Sequence, residues 1–209
     1  MSHDDFKFEP VRGLPEALPE DEHILWQGSP SARRIAREAL CLNWVAGYFA
    51  LLAVWRVGVS STEVPMAEAL MHSVPLIIVG VVACTLIMIL ATIQARSAVY
   101  TLTNKRVAMR IGAALTMTLN LPYVCIGTAK LDLKRGGSGT IAFELIGDAR
   151  FSYLMSWPHV RPWYMTRVQP ALRCIPEAEK VAQIFAEAAD ARVSVPQVSR
   201  VPMDAVAAE

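Results

Sequence analysis

The chain has 209 residues, of which 54% are hydrophobic and 19% charged, and its mean hydropathy is +0.34. This apolar content excludes a disordered chain and exceeds that of an ordinary soluble domain. The net charge of +1 gives no electrostatic attraction of the kind that drives binding to phosphate backbones, so we expect no nucleic acid among the partners.

The chain begins with an acidic, proline-rich stretch, and we expect residues 1–22 to be flexible. Residues 23–38 are interpreted as the N-terminal part of a soluble domain and a pre-membrane segment. Within them, HILWQGSP (23–30) is rich in β-forming residues and ends in a turn signal. The first apolar run starts only near residue 39, which argues against a cleaved signal peptide.

Two apolar runs predict a transmembrane hairpin. Between residues 39 and 95 the only charges are Arg56, Glu63 and Glu68. Residues 39–57 and 73–95 are the predicted spans, joined by a short periplasmic loop at 58–72. Ser73 and Pro75 suit the first turn of the second helix. Apart from Arg56 at the end of the first span, neither span contains a charged side chain, which disfavours a transporter.

Arginines set the predicted orientation of this hairpin. Arg33, Arg34 and Arg37 precede the first span and Arg96 follows the second, whereas the loop between them carries Arg56 alone. In membrane proteins, short cytoplasmic loops contain more lysine and arginine than short loops on the opposite side of the membrane. We therefore expect a two-span inner-membrane (intracytoplasmic-membrane) protein with both termini in the cytoplasm.

Residues 96–191 have the pattern of a cytoplasmic β-rich domain. Asn104-Lys105 is a turn signal between two β-prone segments, and the following segment alternates apolar and polar residues. The predicted strands are Tyr100–Ile111 as a hairpin, Leu115–Leu121, Thr128–Leu133, Thr140–Leu145 and Arg150–Trp157.

An amphipathic helix is predicted to close this domain at residues 176–191. Val181, Ile184, Phe185 and Ala188 recur at helical spacing, and Pro176 suits the helix start. Residues 192–209 lack periodic apolar content and are predicted to form a flexible tail.

The sequence contains no recognisable catalytic or metal-binding signature, so we expect no enzyme and no intrinsic cofactor. The four cysteines, at 41, 84, 125 and 174, have no metal-ligand spacing. Gly136–Gly139 favours a hairpin turn over a phosphate loop. His72, beside a helix end, is ordinarily a solvated interfacial side chain; the alternative is a ligand to the magnesium of a bacteriochlorophyll.

Five basic residues form a candidate patch for anionic lipid headgroups: Lys105, Arg106, Lys130, Lys134 and Arg135. The alternative is that these charges are scattered and solvated at strand ends.

An aromatic loop, defined here as Trp157–Tyr164, is a candidate partner-binding site through Trp157, His159, Arg161, Trp163 and Tyr164. Tryptophan, tyrosine and arginine are enriched at binding hot spots. In the alternative, Trp157 and Trp163 fold back to plug the open end of a barrel.

Several segments resemble the PuhB family, the photosynthetic complex assembly proteins of purple bacteria. They are LPEALPEDEHILWQGSPS (14–31), YTLTNKRVAMRIGAAL (100–115), LNLPY (119–123), SYLMSWPHVRPWY (152–164) and ALRCIPEAEKVAQIFAEA (171–188). The likeness covers most of the chain from about residue 14 to 190.

The predicted fold is an α+β membrane protein: a two-helix transmembrane hairpin inserted in a cytoplasmic pleckstrin-homology-like (PH-like) β-barrel, which is capped by the C-terminal helix. The resemblance implies a non-catalytic factor that assists assembly of the photosynthetic reaction centre with its light-harvesting 1 antenna. It also implies reaction-centre subunits, light-harvesting 1 polypeptides and membrane lipids as partners, and a homodimer. Bacteriochlorophyll is then expected only in bound partners. The alternative function is a lipid- or bacteriochlorophyll-handling membrane module.

Overall fold

A computed structural model of the chain describes residues 10–112, 116–134, 136–147 and 152–193. Most of the predicted tail at 192–209, the first nine residues and Arg135 lie outside the described residues. The helices are α1 (Ala32–Arg34), α2 (Leu42–Ser60), α3 (Met66–Met71), α4 (Val74–Ser97), α5 (Tyr153–Ser156) and α6 (Ala178–Val193). The strands are β1 (Ile24–Gly28), β2 (Val99–Thr103), β3 (Arg106–Ile111), β4 (Met117–Pro122), β5 (Ile126–Leu133), β6 (Gly139–Leu145) and β7 (Ala171–Ile175).

The apolar runs form two long helices that pack against each other. By length and composition, Leu42–Ser60 and the stretch Met66–Ser97 are each apolar enough to cross a membrane, with mean hydropathies of 1.4 and 2.9. Gly80 allows the close approach of α2 and α4, because a Cβ there would lie 2.8 Å from the Cβ of Phe49. The short helix α3 occupies the connection between them.

The hairpin is inserted between two neighbouring strands of the first sheet. This sheet has the order β1-β2-β3-β4 with antiparallel pairing. β1, which precedes the hairpin, pairs with β2, which follows it, with Trp26 opposite Leu102. The strand that the sequence predicts before the first apolar run is therefore β1, and it belongs to the same domain as the strands that follow the second apolar run.

The second sheet has the antiparallel order β5-β6-β7. Its inner face and that of the first sheet enclose the main hydrophobic core with α6. Phe185 of α6 packs into this core, with ring centroids 5.1 Å from Phe143 and 5.5 Å from Tyr123. The apolar spacing that predicted α6 is the face that packs into this core.

The predicted barrel is not closed, because the two sheets do not pair with each other within the described part of the chain. The chain leaves β4 at Pro122, which has no N–H to donate, and a 3₁₀ turn at Tyr123–Cys125 redirects it into β5. The prediction of a strand at Arg150–Trp157 was also wrong. The described part of that segment forms α5, where the Trp157 amide donates to the Tyr153 carbonyl.

Part of the segment predicted to be flexible packs against the first sheet. Leu14 is 2% exposed, and the Glu22 carboxylate accepts hydrogen bonds from Thr103 Oγ1 and Arg106 Nε, both at 2.8 Å. Residues 10–22 therefore lie against the folded domain.

A small second cluster joins the sheet domain to the hairpin. Ile35 and Ala36, in a π-helical segment at Ile35–Ala39, pack with Ala91 and Ala95 of α4 and with Cys174 of β7. This contact fixes β7 beside the end of the hairpin where its two long helices enter the domain.

Candidate functional site

A cleft of about 600 Å³ lies on the outer face of the second sheet, and we call it the outer cleft. The sheet, the pre-membrane segment and the aromatic loop form its walls. Its lining residues are Glu38, Lys130, Leu131, Asp132, Lys134, Thr140, Ala142, Arg161, Pro162, Trp163, Tyr164 and Arg173.

The two-residue period of β5 places its charged side chains along this cleft. Lys130 and Asp132 pair in register with Ala142 and Thr140 of β6, and Lys134 follows directly after the strand. Side chains two residues apart share a face of a strand. The alternation of side chains along β5 therefore places these charges together on the side of the cleft.

The two lysines of the cleft are already paired with carboxylates. Lys130 Nζ lies 3.0 Å from Glu144 Oε2, and Lys134 Nζ lies 2.9 Å from Asp132 Oδ2. The hydrogen bond to Asp132 raises the pKa of Lys134 above its usual value. Both pairs are substantially exposed, so we expect each to contribute little to stability.

Glu38 belongs to the pre-membrane segment and is also engaged. Its Oε1 lies 3.5 Å from Arg34 Nη1, and its Oε2 accepts a hydrogen bond from Cys174 Sγ at 3.6 Å. Burial raises the pKa of the Cys174 thiol to about 12, so the thiol stays protonated and able to donate. This contact ties the cleft to the base of the hairpin.

Arg173 of β7 is the residue of this site that the sequence reasoning missed. Its side chain is 6% exposed, and its Nη1 donates to the Pro158 carbonyl at 3.1 Å. The structure gives it no ion pair with a carboxylate in the described part of the chain. No strand is predicted from the sequence at β7, so Arg173 carried no signal in the sequence beyond its charge.

The aromatic loop is pinned at its start by buried residues. The His159 amide donates to the Ser156 carbonyl at 2.8 Å, and the Ala171 amide donates to the His159 carbonyl at 2.9 Å. His159 is 1% exposed and its Nδ1 lies 2.6 Å from the Tyr100 hydroxyl. Burial, followed by the nearby Arg173 charge, lowers the pKa of His159 to about 3, so its imidazole is neutral.

His159 therefore anchors the loop, which corrects its prediction as a residue that contacts a partner. The later residues of the loop point outward. Trp163 is 87% exposed, and the Arg161 guanidinium carbon lies 4.0 Å from the centre of the Tyr164 ring. Trp163 does not fold back to plug the domain, whereas Trp157 is half-buried.

The predicted basic patch is divided between two places. Lys130 and Lys134 line the outer cleft, whereas Lys105 and Arg106 border a separate depression of about 270 Å³. There Lys105 pairs with Asp21, which lowers the pKa of that carboxyl, and Arg106 pairs with Glu22. Arg135 lies outside the described residues.

The arginines predicted to set the topology lie at one end of the hairpin. Arg33 and Arg34 belong to α1, Arg37 belongs to the π-helical segment that follows, and Arg96 lies in the last turn of α4. His72 lies at the connection between α3 and α4, exposed, with Nδ1 3.1 Å from Ser60 Oγ. Among the described residues, no cluster of histidine, cysteine and acidic side chains is arranged to hold a metal ion.

Comparison with known proteins identifies relatives of the whole chain. Residues 43–189 match the family model described as the bacterial PH domain. The chain is also 45% identical over 204 residues to a Rhodobacter capsulatus protein described as an uncharacterized 23.7 kDa protein in the puhA 5′ region. That alignment covers 97% of this chain and 95% of the relative. No solved structure matches the chain. The two matches confirm the resemblance seen in the sequence.

Proposed function

Because the chain belongs to the bacterial PH domain family, whose members are in general non-catalytic, we propose that it acts by binding other molecules. Specifically, we propose a membrane-anchored assembly factor that assists assembly of the photosynthetic reaction centre with its light-harvesting 1 antenna. Its partners in this proposal are reaction-centre subunits and light-harvesting 1 polypeptides.

The genetic position of the relative supports this proposal. The Rhodobacter capsulatus protein is encoded in the puhA 5′ region, and the two chains align over nearly their full lengths. This position agrees with the photosynthetic role that the PuhB resemblance implies.

Two long apolar helices and the arginines at one end of them support an anchor in the inner (intracytoplasmic) membrane. In this proposal the sheet domain and both termini lie in the cytoplasm. A reporter that is active only in the cytoplasm should function when it is fused to the C-terminus. The same reporter should be inactive when it is inserted after Thr62, in the connection between α2 and α3.

The observation that carries the proposal is the exposed surface of Arg161, Trp163 and Tyr164 beside the base of the hairpin. Trp163 is 87% exposed, so packing within the chain does not account for it. Arg161 is stacked on Tyr164, and its Nη1 donates to Gln169 Oε1 at 3.1 Å, which preorganises the pair. Rigid aromatic and arginine side chains are typical anchors of protein interfaces.

Affinity purification from photosynthetically grown membranes tests the proposal. Tagged protein is extracted in mild detergent, and the eluate is analysed by mass spectrometry and absorption spectroscopy. We expect reaction-centre or light-harvesting 1 subunits, with pigment in proportion to them. The Trp163→Ala variant should lose these subunits, and the Ile146→Ala variant, which alters an exposed apolar residue outside the cleft, should retain them. Retention of the subunits by Trp163→Ala would contradict a role of the loop.

Lipid or bacteriochlorophyll handling is the second candidate function, and the cationic lining of the outer cleft favours its lipid form. Pigment binding through His72 remains a prediction. Bacteriochlorophyll in the eluate without stoichiometric reaction-centre or antenna subunits would favour the pigment form of this alternative.

Self-association as a homodimer is also part of the proposal. Gly80 is covered by Phe49 of the same chain, whereas a Cβ at Gly47 would meet nothing within 4 Å. Gly47 therefore leaves room for a helix of a second copy. Light scattering in detergent should give the mass of a dimer, and Gly47→Leu should shift it to that of a monomer.

A further inference from the structure

Arg173 is a buried charge that makes no ion pair with any of the described carboxylates. It lines the outer cleft at 6% exposure, and its guanidinium makes one hydrogen bond, to the Pro158 carbonyl. Burial of a cation is costly unless an anion or several acceptors compensate it. The carboxylates of the cleft are engaged elsewhere, Asp132 with Lys134 and Glu38 with Arg34 and Cys174.

We propose that the outer cleft binds the phosphate of an anionic phospholipid headgroup, with Arg173 and Arg161 as the residues that contact it. Four cationic side chains line the cleft, and both lysines are paired with carboxylates. Within the described part of the chain Arg161 and Arg173 have no carboxylate partner, so their charge is complementary to a phosphodiester. The planar guanidinium donates two parallel hydrogen bonds to phosphate oxygens. The volume of the outer cleft, about 600 Å³, is in the range of small-ligand sites.

The position of the cleft points to a lipid. Glu38, on its wall, precedes the start of α2 at Leu42 by four residues, and Cys174, next to Arg173, packs on the base of α4. The cleft therefore opens beside the end of the apolar hairpin, and the inference rests on the membrane placement proposed above. At this position, the phosphate closest to the cleft is that of a lipid headgroup.

Exposed apolar side chains between β6 and β7, the part of the chain that contains the aromatic loop, support this placement. Leu154 and Trp163 are 85% and 87% exposed, more than the 81% of Trp44 on the apolar helix α2. Such exposure is unfavourable in water and favourable in the headgroup layer, which tryptophan prefers. The bound headgroup thus holds the aromatic loop at the membrane surface, where the proposed partners lie.

Native mass spectrometry of the full chain tests the proposal. Protein purified and delipidated in a nonionic detergent is mixed with equal amounts of phosphatidylglycerol and phosphatidylcholine that carry the same acyl chains. We expect the first bound lipid to be phosphatidylglycerol in about tenfold excess, as one charge-assisted contact gives. Inorganic phosphate at the same concentration should not displace it.

Variants separate the cleft from the rest of the membrane surface. Arg161→Gln and Arg173→Gln should each reduce the excess of phosphatidylglycerol about tenfold, and Arg173→Lys should restore part of it because the charge remains. Lys180→Gln, on the exposed face of α6, is the matched control and should keep the full excess. Arg173 also donates a hydrogen bond to the Pro158 carbonyl, so its substitution can destabilise the domain. Lipid binding by the Arg173 variants is therefore interpreted only where their thermal unfolding midpoint equals that of the unmodified protein. Arg161→Gln leaves the Pro158 hydrogen bond intact and so tests the cleft independently.

Several results would overturn the proposal: no preference for phosphatidylglycerol, a preference that both arginine variants retain, or displacement by inorganic phosphate. Displacement of the lipid by an acidic peptide at equal concentration would assign the cleft to a protein ligand instead. This experiment uses isolated protein, so its failure leaves the co-purification of photosynthetic subunits intact, and the two outcomes remain distinguishable.

Discussion

Tyr100 and His159, 59 residues apart in the chain, are joined by a 2.6 Å contact between the tyrosine hydroxyl and His159 Nδ1 in the interior of the domain. Their rings also meet edge to face, with centroids 5.8 Å apart. Tyr100 belongs to the first strand after the apolar hairpin, and His159 belongs to the aromatic loop. The pair therefore connects the end of the first sheet that follows the hairpin to the surface that we propose binds partners.

Protonation of His159 is expected to destabilise the domain in acid. Its pKa is about 3 when folded and 6.5 when unfolded, so between these values the unfolded chain binds more protons. The contribution of neutral His159 to the free energy of unfolding is then fully present above pH 6.5. It falls by roughly 1.4 kcal/mol for each pH unit below that value, until about pH 3. Urea unfolding of the full chain in detergent, followed by tryptophan fluorescence at several pH values, measures this slope. His159→Phe should flatten it, and an unchanged slope would show that other groups dominate.

Loss of the exposed aromatic surface should impair assembly without loss of the protein. The double variant Trp163→Ala, Arg161→Ala removes the exposed indole and the stacked guanidinium, and we expect less assembled reaction centre in the membranes. Because Trp163 is 87% exposed, its substitution should change the free energy of unfolding by only about 0.5 kcal/mol. The near-infrared absorption of the membranes and an immunoblot of the protein measure the two quantities. A parallel fall of both would indicate a structural role of the loop.

The two neighbouring acidic residues Asp21 and Glu22 should differ in their effect on stability. Glu22 is buried and accepts hydrogen bonds from Thr103 and Arg106, so Glu22→Ala leaves both donors without their acceptor. We expect a loss of about 1–3 kcal/mol. Asp21 pairs with Lys105 at the surface, and Asp21→Asn should not measurably alter the unfolding midpoint. Equal midpoint shifts for the two variants would argue against Glu22 as the residue that holds the segment 10–22 on the first sheet.

Local patterns were sufficient where one element determines its own structure. Asn104-Lys105 predicted the turn between β2 and β3, and the spacing of Val181, Phe185 and Ala188 predicted the helix that fills the core. Period and turn chemistry are encoded within a few residues, so a single sequence reveals them.

The site required contacts that no local pattern carries. Arg173 contacts the Pro158 carbonyl and lines the outer cleft because β7 pairs with β6 and lies next to the aromatic loop. Glu38 accepts a hydrogen bond from Cys174, which is 136 residues away in the sequence. The burial of His159 was not predictable for the same reason. A histidine between two prolines has the local pattern of a surface residue, and its partner Tyr100 is 59 residues away in the sequence. The turn after Pro122, which separates β4 from β5 and so the two sheets, was likewise not predicted from the sequence.

Close packing of the two apolar helices makes Gly80 a sensitive position. A Cβ at this residue would lie 2.8 Å from Phe49 Cβ and 3.0 Å from its Cγ, so Gly80→Ala should push α2 and α4 apart. We expect a lower thermal unfolding midpoint of the full chain in detergent, with a loss of about 1–3 kcal/mol, as for overpacking of a core. Gly58, in α2, is the matched control because a Cβ there meets nothing within 4 Å. Since alanine favours helix over glycine, Gly58→Ala should leave the midpoint unchanged or raise it slightly. A similar fall in both variants would show that helix propensity or detergent contacts, and not the Phe49 contact, determine the effect.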